Sequence, residues 1–175
     1  IDKFPFSSDA NSSNIGSLTL SNQNQGGHSS SSHGYNSGGD SPSGPNNDRI
    51  DKFAFASDGD ATDVGNLITQ TQKVGGTSST TDGYASGGEQ IYLGGTTNVI
   101  NKFPFSSDSN ATDVGDLSVA RQGPVGTSST SSGYNAGGYP STNTIDKFPF
   151  ASDGNATDVG DLTGSVTQGA AGTQN

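Results

Sequence analysis

Apolar residues recur along this chain in four segments of nearly the same pattern, Ile-Asp/Asn-Lys-Phe-Pro/Ala-Phe. The four copies begin at Ile1, Ile50, Ile100 and Ile145. In the first three copies a Gly-Gly pair follows 37 residues later, at Gly38, Gly87 and Gly137. A constant spacing of this kind is typical of tandem repeats. We therefore divide the 175 residues into units at 1–49, 50–99, 100–144 and 145–175, the last of them partial.

Each unit carries the pattern of four short strands and no helical period. Two Phe residues placed two apart, such as Phe103 and Phe105, predict a strand with both rings on one face. The Pro between them lacks an N–H donor and predicts an edge strand. A polar segment such as 153–158 suits a tight hairpin, and Val-Gly-Asp-Leu, Gly-Thr-Ser-Ser-Thr and Gly-Tyr-x-x-Gly-Gly complete the unit. The predicted fold class is all-β.

The length of the units varies only between the Gly-Gly pair and the next isoleucine, at residues 40–49, 89–99 and 139–144. Stretches that vary in this way on a constant framework are surface loops, and loops carry binding specificity. Tyr92 and Tyr139 lie in two of these loops. We predict them as candidate ligand-contacting residues, whereas the Tyr of each Gly-Tyr pair is expected to pack between units.

Composition narrows the range of functions. Hydrophobic residues make up 26% of the chain, well below the roughly 45–50% of ordinary globular proteins, so order depends on repeated stacking rather than on a large core. The formal net charge is -10 and the seven basic residues are scattered, which argues against nucleic acid as a partner. We expect no membrane span, because no apolar run approaches 18 residues.

An acidic run of the form Asp-x-Asn/Asp-x-x-Asp follows the Phe pair in three units. Its members are Asp58, Asp60, Asp63, Asp108, Asn110, Asp113, Asp153, Asn155 and Asp158. Several oxygen ligands in a short loop suit a hard cation, and calcium is therefore a possible cofactor, although the spacing is not that of an EF-hand. The alternative is a turn, since Asx side chains bond their own backbone. Otherwise no cofactor is predicted.

The sequence offers no catalytic residues. His28 and His33 flank a serine run in one unit only, whereas a nucleophile and its base need a unique serine and a third orienting group. We predict both histidines to be solvated loop residues. The candidate carboxylates recur in every unit, so no pair stands out for acid–base work.

The order of motifs resembles the kelch repeat. Arg121, Gly126-Thr-Ser-Ser, Gly133-Tyr-Asn-Ala-Gly-Gly138, a variable loop and the segment 145–150 follow one another as in that family. The resemblance implies β-propeller blades of four antiparallel strands, with the chain opening at a third strand and Gly169–Asn175 entering a further unit. The family's Trp is missing. A β-solenoid or an open fibrous stack is the alternative architecture.

The Ile-Asp-Lys-Phe-x-Phe repeats are also similar to repeats of predicted bacteriophage virion proteins. This resemblance implies a structural or adhesive scaffold in a virion appendage, such as a tail fibre, or in an extracellular assembly. Its expected partners are copies of itself or other structural proteins, and a surface glycan is possible. Two alternatives stay open: a fragment of a propeller enzyme of the galactose-oxidase or lyase kind, and a calcium-stabilised binding module.

Overall fold

The computed structural model describes residues 1–42 and 47–166, and in these ranges the chain is all-β with no helix, as predicted. The strands are β1 (Asp2–Lys3), β2 (Ser13–Asn14), β3 (Gly26–Ser29), β4 (His33–Ser37), β5 (Arg49–Ala54), β6 (Thr62–Asn66), β7 (Thr71–Gln72), β8 (Gly75–Ser78), β9 (Asp82–Ser86), β10 (Glu89–Gln90), β11 (Val99–Pro104), β12 (Thr112–Asp116), β13 (Val125–Ser128), β14 (Ser132–Ala136), β15 (Thr142–Pro149) and β16 (Thr157–Val166). The described residues include no helix that could cross a membrane.

Three four-stranded antiparallel sheets make up most of the structure. Sheet 1 has the strand order β3-β4-β5-β6, sheet 2 the order β8-β9-β11-β12, and sheet 3 the order β13-β14-β15-β16. Strands β1 and β2 form a separate antiparallel pair, and β7 pairs with β10. By sequence, β1 and β2 correspond to the third and fourth strands of the sheets, and we call this pair the half-sheet.

The sheets cut across the sequence units, since each begins near the middle of one unit and ends in the next. The Gly-Tyr strand is second and the Phe strand third in every four-stranded sheet. The segment Gly169–Asn175 lies outside the described residues.

The proline prediction was wrong. Strands β11 and β15 have hydrogen-bonded neighbours on both sides, so neither is an edge strand. Pro104 is the last residue of β11, and Phe105 next to it donates to the Thr81 carbonyl on the β9 side. Because successive N–H groups point to opposite sides, residue 104 faces β12, whose pairing already ends at Lys102. The missing N–H of Pro104 therefore costs the sheet no hydrogen bond.

The predicted tight hairpin is a longer connection. Seven residues join the third and fourth strands of each sheet, at 55–61, 105–111 and 150–156. The tight turns instead join the first and second strands, at 30–32, 79–81 and 129–131, with a backbone hydrogen bond across each. After the second strand, Gly87 and Gly88 adopt φ values of +64° and +112°. Only glycine takes both values without strain, which explains why the pair recurs in each unit.

The core lies between neighbouring sheets rather than within one. One cluster joins Tyr35 and Ile50 of sheet 1 to Ala85 and Phe103 of sheet 2, and a second joins Tyr84 and Ile100 of sheet 2 to Leu117, Phe148 and Ala156. A single sheet cannot bury the few large side chains on its faces by itself. These side chains become buried only when another sheet packs against them. Each sheet therefore depends on the next for its stability.

The first strands of the three sheets, β3, β8 and β13, pack against one another through glycine. A methyl group added at Gly76 would overlap the backbone of Gly27, and one added at Gly126 would overlap the backbone of Gly76. The backbones of neighbouring sheets thus approach too closely for any side chain at these positions.

We expect Gly76→Ala to lower the free energy of unfolding by about 1–3 kcal/mol, because the overlap is with backbone and forces the two strands apart. Gly27→Ala is the matched control, since a Cβ there meets nothing within 4 Å. Urea unfolding followed by circular dichroism measures both variants. Equal effects of the two substitutions would contradict the close packing of β3 and β8.

Candidate functional site

The principal contact surface of the molecule is the junction between one sheet and the next. The ring of Tyr35 in sheet 1 stacks on Phe105 of sheet 2, with centroids 4.7 Å apart and planes 23° apart, and also contacts Phe103 at 5.8 Å. The next junction repeats these contacts with Tyr84, Phe148 and Phe150, at 5.3 Å to Phe148 and 5.0 Å to Phe150. The expectation that the Gly-Tyr tyrosine packs between units is confirmed at both junctions.

The first Phe of each pair also acts within its own sheet. Phe103 lies directly opposite Gly83 on the neighbouring strand, and its ring covers the space that a side chain at Gly83 would occupy. Phe53 and Phe148 cover Gly34 and Gly133 in the same way. The Gly-Tyr dipeptide therefore has two separate tasks: the glycine admits a ring of its own sheet, and the tyrosine packs against the next sheet.

The acidic runs lie along these junctions, and their three positions make three different contacts. The first position forms an ion pair with the lysine of the preceding sheet or half-sheet. These pairs are Lys3–Asp58 at 3.5 Å, Lys52–Asp108 at 3.0 Å and Lys102–Asp153 at 2.9 Å. Since the aspartates are more than half exposed, each pair adds at most about 1 kcal/mol and chiefly fixes the register of the junction.

The second position accepts a hydrogen bond from the preceding sheet or half-sheet. The Oδ1 atoms of Asp60, Asn110 and Asn155 accept the backbone N–H groups of Ser17, Asn66 and Asp116, at 2.8, 3.0 and 3.1 Å. The third position is local: the Oδ1 atoms of Asp63, Asp113 and Asp158 accept the N–H two residues further on. That last contact is the Asx turn, which was the alternative to a metal loop.

Among the residues that the structure describes, no three His, Cys, Asp or Glu side chains are grouped so as to hold a metal ion. The side chains of the nine predicted ligands instead contact three kinds of protein group: a lysine, a backbone N–H of the preceding sheet or half-sheet, or a backbone N–H two residues further on. Calcium binding stays a prediction. A bound ion would have to compete with these partners for the same oxygens.

We expect excess EDTA to leave the melting temperature unchanged, because the acidic side chains already have protein partners at each junction. Thermal unfolding followed by circular dichroism, with and without added calcium, checks this. A fall in melting temperature with EDTA that calcium but not magnesium restores would contradict it and support the calcium-stabilised module.

The two candidate loop tyrosines are both at the surface, with Tyr92 65% and Tyr139 50% exposed. Tyr92 and its neighbour Leu93 line a groove of about 330 Å³ together with Ile68 and Asp48. Leu93 is 75% exposed, so this loop presents an apolar tip. Tyr139 lies in the corresponding loop of sheet 3, where its backbone pairs with Gln122. Both side chains are accessible at the surface, and their role in contacting a ligand stays a prediction.

A second groove was not anticipated from the sequence. The turns between the first and second strands of all three sheets place their hydroxyl groups side by side around a space of about 480 Å³. The lining residues are Ser29, Ser30, Ser31, Ser78, Ser79, Thr80, Ser129 and Thr130. The signal was present as the repeated Ser-Ser-Thr segments, but only the stacking of β3, β8 and β13 brings them together.

The prediction of a solvated His28 was wrong, because this residue lies in β3, is 7% exposed and faces sheet 2. Nδ1 lies 3.0 Å from the Thr77 carbonyl, and Nε2 lies 2.7 Å from Ser37 Oγ. A carbonyl oxygen only accepts, so Nδ1 carries the proton and Nε2 accepts from the Ser37 hydroxyl. The ring also meets Phe103 edge-on at 5.0 Å. His33 is partly exposed in β4.

His28 makes the junction of sheets 1 and 2 sensitive to acid. Burial lowers the pKa of His28 from 6.5 to about 4, and the hydrogen bond to Thr77 opposes this only in part. Because the folded pKa lies below the unfolded one, this contribution to stability is complete above pH 6.5 and is lost as the pH falls towards 4. We expect a loss of about 3 kcal/mol over this range.

His28→Thr is the matched control, since threonine occupies this position in sheets 2 and 3, at Thr77 and Thr127. Urea unfolding between pH 7 and pH 4 should show a steeper loss of stability for the wild type than for His28→Thr. Parallel pH profiles of the two proteins would show that His28 is not buried as described.

Sheet 3 contains a fully buried ion pair. Arg121 Nη2 lies 2.9 Å from Asp146 Oδ2 and 3.0 Å from the Asn135 carbonyl, and both charged side chains have no exposed surface. The same Asp146 oxygen accepts the N–H of Ser118 at 3.0 Å. Asn101 takes the place of Asp146 in sheet 2, where its Oδ1 accepts the N–H of Ile68. The carboxylate or amide at this position therefore accepts a hydrogen bond from the segment that precedes the first strand of the sheet.

Comparison with known proteins found no matching family model and no matching curated protein.

Proposed function

We propose that this chain is a non-enzymatic repeat scaffold whose sheets are kelch-like β-propeller blades and whose variable loops contact other molecules. One observation carries the proposal: the same residues make the same contacts at successive junctions. The Phe–Tyr stacks, the Lys–Asp pairs and the Asx acceptors all recur. Repetition of this kind builds a framework of adjustable length.

The setting that we propose is a virion appendage, such as a tail fibre, or another extracellular assembly. The net charge of -10 and the hydroxyl-rich composition suit a surface that stays soluble at high local concentration. The partners would be copies of the chain, other structural proteins or a surface glycan. The alternative of a propeller enzyme requires an exposed cluster of residues unique to one blade, whereas the Phe–Tyr, Lys–Asp and Asx contacts recur at successive junctions.

The loop of sheet 2 is the best placed for such contacts. Tyr92 and Leu93 are large, mostly exposed and adjacent, and their groove supplies a carboxylate from Asp48 at its edge. Aromatic and aliphatic side chains that lose water on binding dominate interface energies. Tyr139 would provide an aromatic face on sheet 3, of the kind on which sugar rings pack.

Sedimentation velocity over a range of concentrations tests the assembly role. We expect a mass above that of the 17.5 kDa chain that rises with concentration, and a shift towards the monomer in the double variant Tyr92→Ser/Leu93→Ser. Val159→Ser, which alters a 51% exposed residue on β16 away from the loops, should behave as wild type. A 17.5 kDa species at all concentrations that also binds no glycan on an array would contradict the proposal.

A further inference from the structure

An apolar pocket of about 270 Å³ lies between the half-sheet and sheet 1. Its apolar lining residues are Ile1, Phe4, Phe6, Ile15, Phe53, Ala54 and Phe55. Phe4 is 59%, Phe6 96% and Phe55 46% exposed, whereas Phe103 and Phe148, the equivalents of Phe4, are 2% exposed. A cluster of exposed aromatic rings is the mark of an interaction surface.

The other junctions show what such a pocket is shaped to hold. At each of them the Phe pair of one sheet packs on a tyrosine from the second strand of the sheet before it. Phe53 and Phe55 are the Phe pair of sheet 1. The half-sheet before them has only strands that correspond to the third and fourth of a sheet, whereas the tyrosine comes from a second strand. The pocket therefore lies where that tyrosine would pack.

The pocket has the geometry of an occupied junction. Phe53 and Phe55 meet edge-on with centroids 6.2 Å apart and planes 73° apart. The pairs that do pack on a tyrosine have 5.9 Å and 76°, and 6.0 Å and 75°. A binding surface that is already in its bound arrangement loses little conformational entropy when the partner arrives.

The backbone next to the pocket is also ready for a partner. Among the described strands β1 pairs only with β2, so one edge of β1 is open. In the four-stranded sheets the equivalent edge pairs with a Gly-Tyr strand, where glycine is opposite the first Phe and tyrosine opposite the lysine, as with Gly83 opposite Phe103 and Tyr84 opposite Lys102. The same register at β1 would place glycine opposite Phe4 and tyrosine opposite Lys3.

We propose that the open edge of β1 and this pocket bind an extended strand of the pattern Gly-Tyr-x-x-Gly-Gly from a partner polypeptide that is not a second copy of this chain. The strand adds to the half-sheet by main-chain hydrogen bonds, and its tyrosine fills the pocket between Phe53 and Phe55. Strand addition with one anchoring side chain is an established mode of peptide recognition. The inference rests on the proposed scaffold role for its biological meaning, since it names the kind of partner that the scaffold would hold.

A peptide taken from this chain tests the inference. The probe is residues 76–88, Gly-Thr-Ser-Ser-Thr-Thr-Asp-Gly-Tyr-Ala-Ser-Gly-Gly, carrying a fluorescein label. We expect saturable binding to the full 175-residue chain by fluorescence anisotropy. The peptide with Tyr84→Ala should bind at least about tenfold more weakly, because the stacking on two rings is lost. This substitution leaves the fold of the receptor untouched.

Receptor variants localise the binding. Phe55→Ser should abolish it, whereas Val119→Ser, at a 47% exposed residue between β12 and β13, should not. Absence of saturable binding, or equal binding of the Tyr84→Ala peptide, would overturn the inference. Self-association that Phe55→Ser abolishes, without peptide binding, would assign the pocket to a second copy and would also overturn it. If the chain sediments as a monomer but binds the peptide, the assembly role fails and this inference stands. The two failures are therefore distinguishable.

Discussion

Replacing Phe103 with alanine is expected to lower the free energy of unfolding by about 3–5 kcal/mol, the usual cost of removing a buried ring. Phe103 is 2% exposed and contacts both Tyr35 and His28 of the preceding sheet. It also covers Gly83 of its own sheet, which has no side chain to fill the space that the ring would leave. Proteins of this size are stable by only about 5–15 kcal/mol, so the loss is large.

The matched control is Phe4→Ala, which removes the same ring from the same place in the repeat. Because Phe4 is 59% exposed and has no preceding tyrosine, we expect its effect to stay within about 0.5 kcal/mol. Urea unfolding of both variants gives the comparison. A similar cost for the two substitutions would show that the contacts of Phe103 with the preceding sheet and with Gly83 do not account for its effect on stability.

Replacing Arg121 with threonine is expected to cost about 3–5 kcal/mol, because it leaves the Asp146 carboxylate buried without its cation. Threonine is chosen because Thr71 occupies the equivalent place before sheet 2. The Thr71 carbonyl accepts the N–H of Gly39, and the Arg121 carbonyl accepts the N–H of Gly88 in the same way. The variant therefore keeps the backbone pattern of the repeat and changes only the side chain.

The double variant Arg121→Thr/Asp146→Asn converts the buried pair of sheet 3 into the Thr71 and Asn101 combination of sheet 2. Removing both charges together avoids the unpaired carboxylate, so we expect most of the stability to return. Chemical unfolding of the wild type, both single variants and the double variant forms a double-mutant cycle. Additive costs in this cycle would show that Arg121 and Asp146 do not depend on each other.

The strands could be predicted because their signals are local. Alternation of Phe with polar residues, the Gly-Tyr pair and the Gly-Gly turn each fix the conformation of a few consecutive residues. The position of Pro104 was misread, because a missing N–H excludes a hydrogen bond on one side of one residue and does not identify the strand as an edge.

Apart from the packing of the Gly-Tyr tyrosine, the contacts between sheets could not be predicted, since their partners lie about one repeat apart in sequence. Asp108 pairs with Lys52 and Asn110 accepts from Asn66, so an acidic run that suggests a metal loop turns out to fix a junction. His28 was misread for the same reason: its neighbours in sequence are glycine and serine, whereas its surroundings in space are Thr77 and Phe103 of the next sheet.

The loop residues were easier to anticipate than the grooves. Tyr92 and Tyr139 stand out because they are aromatic residues in segments that vary between units, and both lie at the surface. The pocket beside Phe53 and Phe55 has no distinct sequence signal, because its rings belong to the same motif that is buried elsewhere. Only the order of strands shows that the half-sheet places no tyrosine there.

The claim that one Tyr–Phe contact set joins successive sheets is tested most directly by nuclear Overhauser effects between aromatic rings. We predict cross-peaks from Tyr35 to Phe105 and from Tyr84 to Phe150, each a contact between neighbouring sheets. Assignment by the variants Phe105→Leu and Phe150→Leu, each of which should remove one set, makes the result unambiguous. Cross-peaks from Tyr84 to Phe105 of its own sheet, without any to Phe150, would contradict the account.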